Sequence, residues 1–259
     1  MAYTTIDDPT AYFQVKTYTG NGSTNAITFD GNTNMQPDFV WIKDRDTSQH
    51  HRLADVVRGV KKNLKSDQAD AENTPDSNNG LQSFDSNGFT LTQDSSDHGY
   101  NASGSSQVSW NWKAGTSFTN DASSTGVGSI DSAGSFNNDA GFSIVTYTGN
   151  GSSGATVKHG MNQKPSMFII KDRDNSNEGW MVYHTSLGAT KYMRLNETGA
   201  VATGSAYFNN TEPTSSVFTI GNNDVVNKSG DKYVTYCFAE KKGYSKFGSY
   251  AANENVDGT

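Results

Sequence analysis

Hydrophobic positions along this chain alternate with polar ones at a period of two, and helical periodicity is almost absent. In residues 108–112 a valine and two tryptophans fall on one face, with Ser and Asn between them. Residues 234–238 repeat the pattern with valine, tyrosine and phenylalanine. This alternation predicts strands. The exchange of Trp for Tyr and Phe keeps bulk but no particular polar group, which indicates packing positions.

Two shorter runs are apolar on both faces. Residues 39–42 (Phe-Val-Trp-Ile) and 167–170 (Met-Phe-Ile-Ile) each begin two residues after a proline, Pro37 or Pro165. Proline is tolerated where a strand begins, and a short run without polar positions is typical of a strand covered on both sides. We expect both runs to be central, buried strands.

Further strand candidates are separated by Gly, Asn and Ser turn signals. They cover residues 12–19, 26–30, 51–57, 60–64 and 89–93, and then 142–148, 155–159, 180–184, 191–195 and 217–220. Roughly seven or eight short strands in each half, joined by polar turns, are typical of an antiparallel β-sandwich of jelly-roll type.

The chain repeats itself in order. Tyr-Thr-Gly-Asn-Gly-Ser at 18–23 returns at 147–152, and Lys-Asp-Arg-Asp at 43–46 returns at 171–174. Collinear matches at nearly constant spacing indicate two copies of one domain rather than many small repeats. The predicted fold is therefore all-β, with two tandem antiparallel β-sandwich domains of jelly-roll or concanavalin-like form.

The repeat divides the chain into four parts. The copies are residues 1–115 and 141–243. A Ser-, Gly- and Asn-rich connection, residues 116–140, joins them and is expected to form one extended strand around Ser129 and Ile130. Residues 244–259 resemble the start of a further copy and are too few to fold alone, so they could add a strand to a neighbouring domain or subunit.

Charge and cysteine content restrict the partners. The net charge is -7, which argues against nucleic acid because phosphate binding needs clustered Lys and Arg. The densest basic run, residues 58–65, is interpreted as a solvated strand face. Cys237 is the only cysteine, so an internal disulfide and a Cys-based zinc site are excluded, and a half-buried packing role is expected. The absence of a leader pattern and of a long apolar stretch predicts a soluble chain made in a cytoplasm, without membrane insertion.

The carboxylates most suited to acid–base chemistry lie in the repeated Lys-Asp-Arg-Asp motif. They are Asp44, Asp46, Asp172 and Asp174. Two such residues on one side of a strand lie about 6 to 7 Å apart, within the range of a glycosidase pair. However, the intervening arginine keeps both acids ionised, and a turn held by Asp–backbone hydrogen bonds explains the motif equally well. No catalytic residue is assigned, and we do not expect an enzyme.

Metal ligands are also considered and rejected. The candidates are His50, His51, and His98 beside Asp94 and Asp97, together with the acidic loop residues Asp67, Asp70, Glu72 and Asp76. The histidine pair has no counterpart in the second copy, and the acidic spacing fits no EF-hand. The acidic segment is interpreted as a solvated loop, with no metal and no cofactor.

Aromatic and amide side chains in polar loop sequence are candidates for carbohydrate binding. They are Tyr100, Asn101, Tyr207, Phe208 and Asn209. Aromatic faces stack on sugar rings, but packing between subunits would place aromatic residues in the same positions. Both interpretations stay open.

Several blocks resemble a repeat domain in structural proteins of marine tailed phages, in particular phages of cyanobacteria. They are residues 1–9, 36–43, 83–91, 110–115, 141–149 and 243–250, together with the Tyr-Thr-Gly-Asn-Gly openings. The resemblance extends over almost the whole chain. It implies a lectin-like sandwich protein on a tail fibre, a baseplate or the capsid exterior, and it brings no catalytic motif.

From this resemblance we expect a non-enzymatic virion protein that is made in the host cytoplasm and exposed on the assembled particle. Its expected partners are other virion proteins and copies of itself, and a trimer would suit a fibre. The alternatives are a carbohydrate-binding module that recognises a host-surface glycan and, with less support, a glycan depolymerase.

Overall fold

The computed structural model describes residues 4–74, 79–93 and 99–253. A single 3₁₀ turn at Pro9–Ala11 precedes the first copy. The strands of this copy are β1 (Phe13–Thr19), β2 (Asn25–Thr28), β3 (Phe39–Asp44), β4 (Arg52–Asp55), β5 (Leu81–Asp85), β6 (Gly88–Leu91) and β7 (Ser106–Trp112).

The connection and the second copy follow the same strand-rich plan. The connection contains β8 (Thr116–Asn120), α1 (Ala122–Thr125) and β9 (Ser132–Asn137). The second copy contains β10 (Phe142–Thr148), β11 (Ala155–Lys158), β12 (Met167–Asp172), β13 (Met181–His184), β14 (Lys191–Arg194), β15 (Ala202–Thr203), α2 (Ser205–Phe208), β16 (Val217–Ile220), α3 (Asp224–Asn227) and β17 (Lys232–Phe238). Within these residues, none of the helices has the length and apolar character that a membrane span requires.

The two copies have the same strand order. In the first, β1-β7-β3-β4 form the larger sheet and β2-β6-β5 the smaller one. In the second, β10-β17-β12-β13 reproduce the larger sheet, which continues into β14 and β15, and β11-β16 reproduce the smaller one. Neighbouring strands are antiparallel, and a hydrophobic core fills each copy. The prediction of two tandem antiparallel β-sandwiches is confirmed.

The apolar run at the start of β3 is buried on both sides, as predicted. Val40 and Ile42 pack in the core of the first sandwich, where Phe89 of the smaller sheet also lies. Phe39 points the other way and packs against the second copy. A strand whose alternate residues all find apolar neighbours must lie between two packed layers.

The larger sheets of the two copies pack face to face. The ring of Phe39 stacks on that of Tyr236 with centroids 4.2 Å apart, and its centroid lies 6.1 Å from that of Phe142. The Trp112 ring of the first copy lies 6.2 Å from Phe142 and 6.1 Å from Phe238 of the second. The four sheets therefore form four layers. Trp112 and the aromatic face of β17 pack between the copies rather than inside one of them.

Two local predictions are wrong. Residues 60–64 form turns with isolated bridges at Asn63 and Leu64 instead of a strand. The left-handed Gly59 (φ 102°) begins this turn, and the N–H of Lys62 donates back to its carbonyl oxygen at 3.1 Å. The connection forms two strands instead of one, while Ile130 makes only a single parallel bridge to Val157.

The two strands of the connection extend the larger sheet of the second copy. Strand β9 pairs with β10, and β8 pairs with β9, both antiparallel. The connection is thus part of the second sandwich. Hydrogen bonding to the open side of β10 is the physical reason, because an uncovered strand leaves a row of unpaired N–H and C=O groups.

Candidate functional site

The Lys-Asp-Arg-Asp motifs at 43–46 and 171–174 are turns at the ends of β3 and β12. Asp44 Oδ1 accepts hydrogen bonds from the N–H groups two and three residues further on, at 2.9 and 3.0 Å. Asp172 Oδ1 accepts the equivalent pair at 2.9 and 3.1 Å. A side chain that captures two following N–H groups fixes a turn.

The second aspartate of each motif holds the start of the neighbouring strand. Asp46 Oδ2 accepts from the N–H of Ser106 at 2.6 Å, where β7 begins. Asp174 Oδ2 accepts from the N–H of Lys232 at 2.9 Å, where β17 begins. All four candidate acids therefore bind backbone, and the interpretation of the motif as a hydrogen-bonded turn is confirmed.

The first aspartates of the two motifs differ in protonation behaviour. Burial raises the pKa of Asp44, but hydrogen bonds from the backbone and from Gln107 Nε2 (2.9 Å) outweigh it and hold the pKa below its usual value. The position equivalent to Gln107 is Tyr233, whose hydroxyl donates to the carbonyl oxygen of Asp224 at 2.5 Å. Burial therefore dominates at Asp172, and its pKa is raised.

Asn101, a candidate for sugar binding, is fully buried and organises a loop. Its Oδ1 accepts from the N–H of Asn21 at 3.0 Å, and its Nδ2 donates to the carbonyl oxygen of Ser23 at 2.6 Å. Asn227 does the same in the second copy, accepting from Asn150 N–H at 2.8 Å and donating to the Ser152 carbonyl at 2.9 Å. Both hold a Gly-Asn-Gly-Ser loop, so the sugar-binding prediction for Asn101 is wrong. The Asn-x-Ser-Gly pattern at 101–104 and 227–230 could have revealed this pair.

Two of the aromatic sugar-binding candidates are also buried. Tyr100 is 2% exposed and lies under the guanidinium of Arg52, 5.6 Å from its ring centroid. Phe208 is 1% exposed and packs edge-on against Phe168 and Tyr183, at 5.3 and 5.8 Å. Neither ring has a face available to a sugar, because each fills the core of its own copy. These two predictions are corrected.

The remaining sugar-binding candidates, Tyr207 and Asn209, stay partly exposed. Tyr207 lies in α2 with its ring 3.9 Å from that of Tyr192. Asn209 ends α2 in the left-handed conformation (φ 51°), and its Oδ1 accepts from Ser153 Oγ at 3.0 Å. Of the five predicted residues, only Tyr207 and Asn209 are therefore partly accessible, and their side chains contact different neighbours.

The histidines and acids considered for metal binding are divided among separate contacts. His50 Nδ1 lies 2.7 Å from Asp67 Oδ2, and Trp41 Nε1 donates to His51 Nδ1 at 2.8 Å. Asp70 pairs with a lysine. Across residues 4–74, 79–93 and 99–253, no group of three or more potential ligands is assembled. The candidates Asp76, Asp94, Asp97 and His98 lie outside the described residues.

A buried ionic network between the copies was missed in the sequence. Arg58, from the supposed solvated strand, has a fully buried side chain. Its Nε donates to Asp55 Oδ2 at 2.5 Å and its Nη1 to Glu72 Oε2 at 3.0 Å. Its Nη2 donates to the hydroxyl of Tyr236 in the second copy at 3.0 Å, and this hydroxyl donates to Asp55 Oδ2 at 2.8 Å.

Glu72 carries the network across the interface a second time. Both oxygens of its carboxylate accept from Arg173, with Nε at 2.9 Å and Nη2 at 2.8 Å. The backbone adds a third contact, from Glu72 N–H to the Arg173 carbonyl at 2.8 Å. A bidentate Arg–carboxylate pair fixes geometry as well as charge. The solvated-loop interpretation is therefore wrong for Glu72, which joins the copies.

Electrostatics favour the charged forms of Arg58 and Glu72 in this network. Burial lowers the pKa of Arg58, but the charges of Asp55 and Glu72 outweigh it and raise the pKa further above its usual value. Burial raises the pKa of Glu72, yet hydrogen bonds and charges from Arg173 and Arg58 hold the pKa below 4.5. Burial raises the pKa of Tyr236 well above 10, so this phenol stays neutral and acts as a donor. A buried ion pair of this kind favours one relative arrangement of its elements.

An apolar cleft opens at one end of the interface. It has a volume of about 380 Å³ and is lined mostly by aromatic and aliphatic side chains. Phe13, Trp41 and Trp112 contribute from the first copy, and the C-terminal segment contributes Tyr244 and Phe247. The C-terminal segment therefore packs against both copies at this end.

Together these features define a class of protein: a tandem β-sandwich whose copies share an aromatic core and a buried ionic network. The chain belongs to the family described as domain of unknown function DUF7483, whose match covers residues 8–259. The matched span includes both copies and their interface. Comparison with curated proteins and with solved structures gives no match.

Proposed function

We propose that the chain is a non-enzymatic structural and interaction protein of a tailed-phage virion, placed on a tail fibre, a baseplate or the capsid exterior. In this role the protein presents its β-sandwich surfaces in several copies to other virion proteins. The observation that carries the proposal is the way the two copies are joined. An aromatic core and a buried ionic network connect them.

The use of the repeated residues supports this role. Asp44, Asp172, Asn101 and Asn227 each accept hydrogen bonds from backbone N–H groups of their own copies. The duplicated motifs therefore maintain loops and strand ends. The resemblance of the sequence to marine-phage structural repeats adds the particle context. A rigid repeated scaffold suits multivalent contacts, since each weak contact gains from the effective concentration of the others.

The decisive experiment is to locate the chain on the particle. We expect purified virions of a phage that encodes it to contain the chain in stoichiometric amounts by mass spectrometry. Antibody labelling or density in an electron-microscopy map should place it on the exterior. Absence of the chain from purified, infectious particles would contradict the proposal.

Enzymatic activity is the opposite outcome and has its own test. The purified chain would be incubated with host polysaccharide, and sugar release would be measured. We expect none. The structural role would be rejected in favour of a depolymerase if sugar release occurred, if Asp172→Asn abolished it, and if Asp30→Asn, at an exposed position, left it unchanged.

Glycan binding is the second candidate, and one observation favours it. Tyr207 and Tyr192 form a partly exposed pair of rings, and the ion pair of Arg194 and Glu197 (2.6 Å) lies nearby in the chain. Such a surface could hold a sugar by stacking and hydrogen bonds. A glycan array with the purified chain tests this. Binding lost in Tyr207→Ala but kept in Tyr250→Ala, which changes a ring 93% exposed in the C-terminal segment, would support it.

A further inference from the structure

The two copies differ at one sheet edge. The outer side of β10 is covered by β9 through paired residues from Phe142↔Asn137 to Tyr147↔Ser132. The equivalent side of β1 pairs with no strand of the described chain. The backbone hydrogen bonds of Tyr12 and Gly20 lie on the β7 side of β1. Because hydrogen-bonding groups point to opposite sides at alternate residues of a strand, the N–H and C=O groups of Phe13, Val15 and Thr17 point to the open side. Strand β1 is therefore an acceptor edge.

The covering strand comes from the segment that follows the first copy. Strand β9 contains Gly-Ser-Phe at 134–136, and the segment after the second copy contains Gly-Ser-Tyr at 248–250. The chain thus has two equivalent strand edges, those of β10 and β1, and two segments that share the Gly-Ser-aromatic sequence. Of these segments only β9 is paired with an edge, that of β10.

Glycine is required at this position of β9 for a steric reason, because β9 is paired with β10. A Cβ on Gly134 would lie 2.0 Å from the carbonyl oxygen of Ile144 and 2.8 Å from the ring of Phe118. A Cβ on Gly248 would meet nothing within 4 Å. Gly134 must be glycine because the backbone of β10 lies so close to it. Within one chain no backbone lies that close to Gly248, but pairing of its segment with a strand edge would bring one there.

The C-terminal segment leads away from the β1 edge of its own chain. The Tyr244 ring lies 6.3 Å from that of Tyr12, beside β1. Three residues later, the Phe247 ring lies 6.4 Å from that of His184 on β13. Tyr250 then projects into solvent, 93% exposed. The segment is thus presented outward, toward another molecule.

We propose that residues 248–253 of one copy of this chain add as an antiparallel strand to the β1 edge of a second copy. The pairing of Ser135 with Ile144 sets the register, so Ser249 lies opposite Val15. The occupant of the open edge is a second copy, and main-chain hydrogen bonds provide the contact. Because donor and acceptor surfaces differ, the contact is head-to-tail and generates a ring or a filament.

Sedimentation velocity over a range of concentrations tests the contact in the full chain. Val15→Pro removes an N–H that points to the open edge, where proline is tolerated. Gly248→Val introduces the Cβ that β9 excludes. We expect each to weaken self-association by about tenfold or more, as the loss of one buried hydrogen bond or a backbone clash would. Gly199→Val is the matched control, since a Cβ there also meets nothing within 4 Å and self-association should persist.

Disulfide trapping tests the register independently. The native Cys237 is buried, so introduced thiols react alone. Val15→Cys in one chain, mixed with Ser249→Cys in another, should give a mixed disulfide because opposed residues lie within bonding range. Ser123→Cys, also exposed, replaces Ser249→Cys in the control mixture and should give little.

Three results would overturn the proposal. They are a wild-type chain that stays monomeric at all concentrations, equal trapping by Ser123→Cys, and a disulfide within one chain when Val15→Cys and Ser249→Cys are combined. This inference rests on the proposed function in one respect: both take other copies of this chain as binding partners. A chain found on virions but monomeric in solution would remove the edge contact and leave the virion role standing.

Discussion

The hydroxyl of Tyr236 in the second copy donates a hydrogen bond to Asp55 Oδ2 in the first, at 2.8 Å and in a fully buried position. The same ring stacks on Phe39. One side chain therefore takes part in both the aromatic core and the ionic network that join the copies. Because polar and apolar contacts meet there, we expect the two sandwiches to unfold together.

Removal of the buried cation should be strongly destabilising. Arg58→Ala leaves Asp55 without its buried cation and Glu72 with Arg173 as its remaining arginine, so the free energy of unfolding should fall by about 3 to 5 kcal/mol. Lys62→Ala, at a side chain 40% exposed and 4.0 Å from Glu72, should change it by less than about 0.5 kcal/mol. Urea denaturation measures both. Similar losses in the two variants would contradict the assignment of the network to Arg58.

The link between the copies should weaken in acid. The pKa of Glu72 is below its ordinary value of 4.5 in the folded chain, so its stabilisation is complete above that pH. Stabilisation is lost as the pH falls through the folded pKa. Glu72→Gln should lower stability at pH 7 by roughly 3 kcal/mol and flatten the decline below pH 4.5. Glu197→Gln, in an exposed pair with Arg194, serves as the control. If Glu72→Gln lost stability below pH 4.5 as steeply as the wild type, this mechanism would be excluded.

A second pH effect should come from His159, which is buried in the second copy. Burial lowers the pKa of His159 from 6.5 to about 4, so the folded state keeps it neutral while the unfolded state takes up a proton. Stability should therefore decline between about pH 6.5 and pH 4, by up to about 3 kcal/mol. Thermal unfolding of His159→Gln and of the control His184→Gln over this range measures the effect. Only the first should lose the slope, and a slope retained in His159→Gln would assign it to other groups.

The loop-holding asparagines should be equivalent in the two copies. Asn101→Ala and Asn227→Ala each remove a buried amide that makes several hydrogen bonds to its loop, so each should cost about 2 to 3 kcal/mol. Asn162→Ala, at an exposed position, should cost almost nothing. Chemical denaturation measures all three. A large loss in only one buried variant would show that the loops are held differently.

The covering of β10 by β9 should depend on one glycine. Gly134→Val places side-chain atoms against the Ile144 carbonyl and Phe118, and it should lower the melting temperature by several degrees through about 1 to 3 kcal/mol of overpacking. Gly199→Val should leave the melting temperature nearly unchanged. If the Gly134→Val chain were as stable as the wild type, steric exclusion of a Cβ would explain neither Gly134 in β9 nor Gly248 in the C-terminal segment.

Much of the fold could be predicted because its signals are local. Residues 142–148 and 217–220 form strands with the predicted bounds, since alternation and turn glycines act within a few residues. The prediction for residues 60–64 failed because apolar Val60 and Leu64 on either side of polar residues are compatible with a turn as well as with a strand. The left-handed Gly59 decided between them.

The candidate sites were less predictable because burial is not local. Tyr100 and Asn101 lie in a polar stretch of sequence, yet the core of the first copy encloses both. The acidic residue Glu72 was grouped with solvated neighbours, and only its two arginine partners distinguish it. The first aspartate of each repeated motif was interpreted correctly, because a side chain that binds N–H groups two and three residues away is a local structure.

The sequence alone determined the all-β class, the duplication and the turns that close each copy, because short-range patterning and repetition are sufficient for these. Only the tertiary structure decided that the aromatic faces meet each other and that Arg58 reaches Tyr236, 178 positions away. It also decided that β9 covers β10, while the equivalent side of β1 pairs with no strand among the described residues. The physical reason is that contacts between sheets depend on how whole layers stack, and no local pattern encodes which layer faces which.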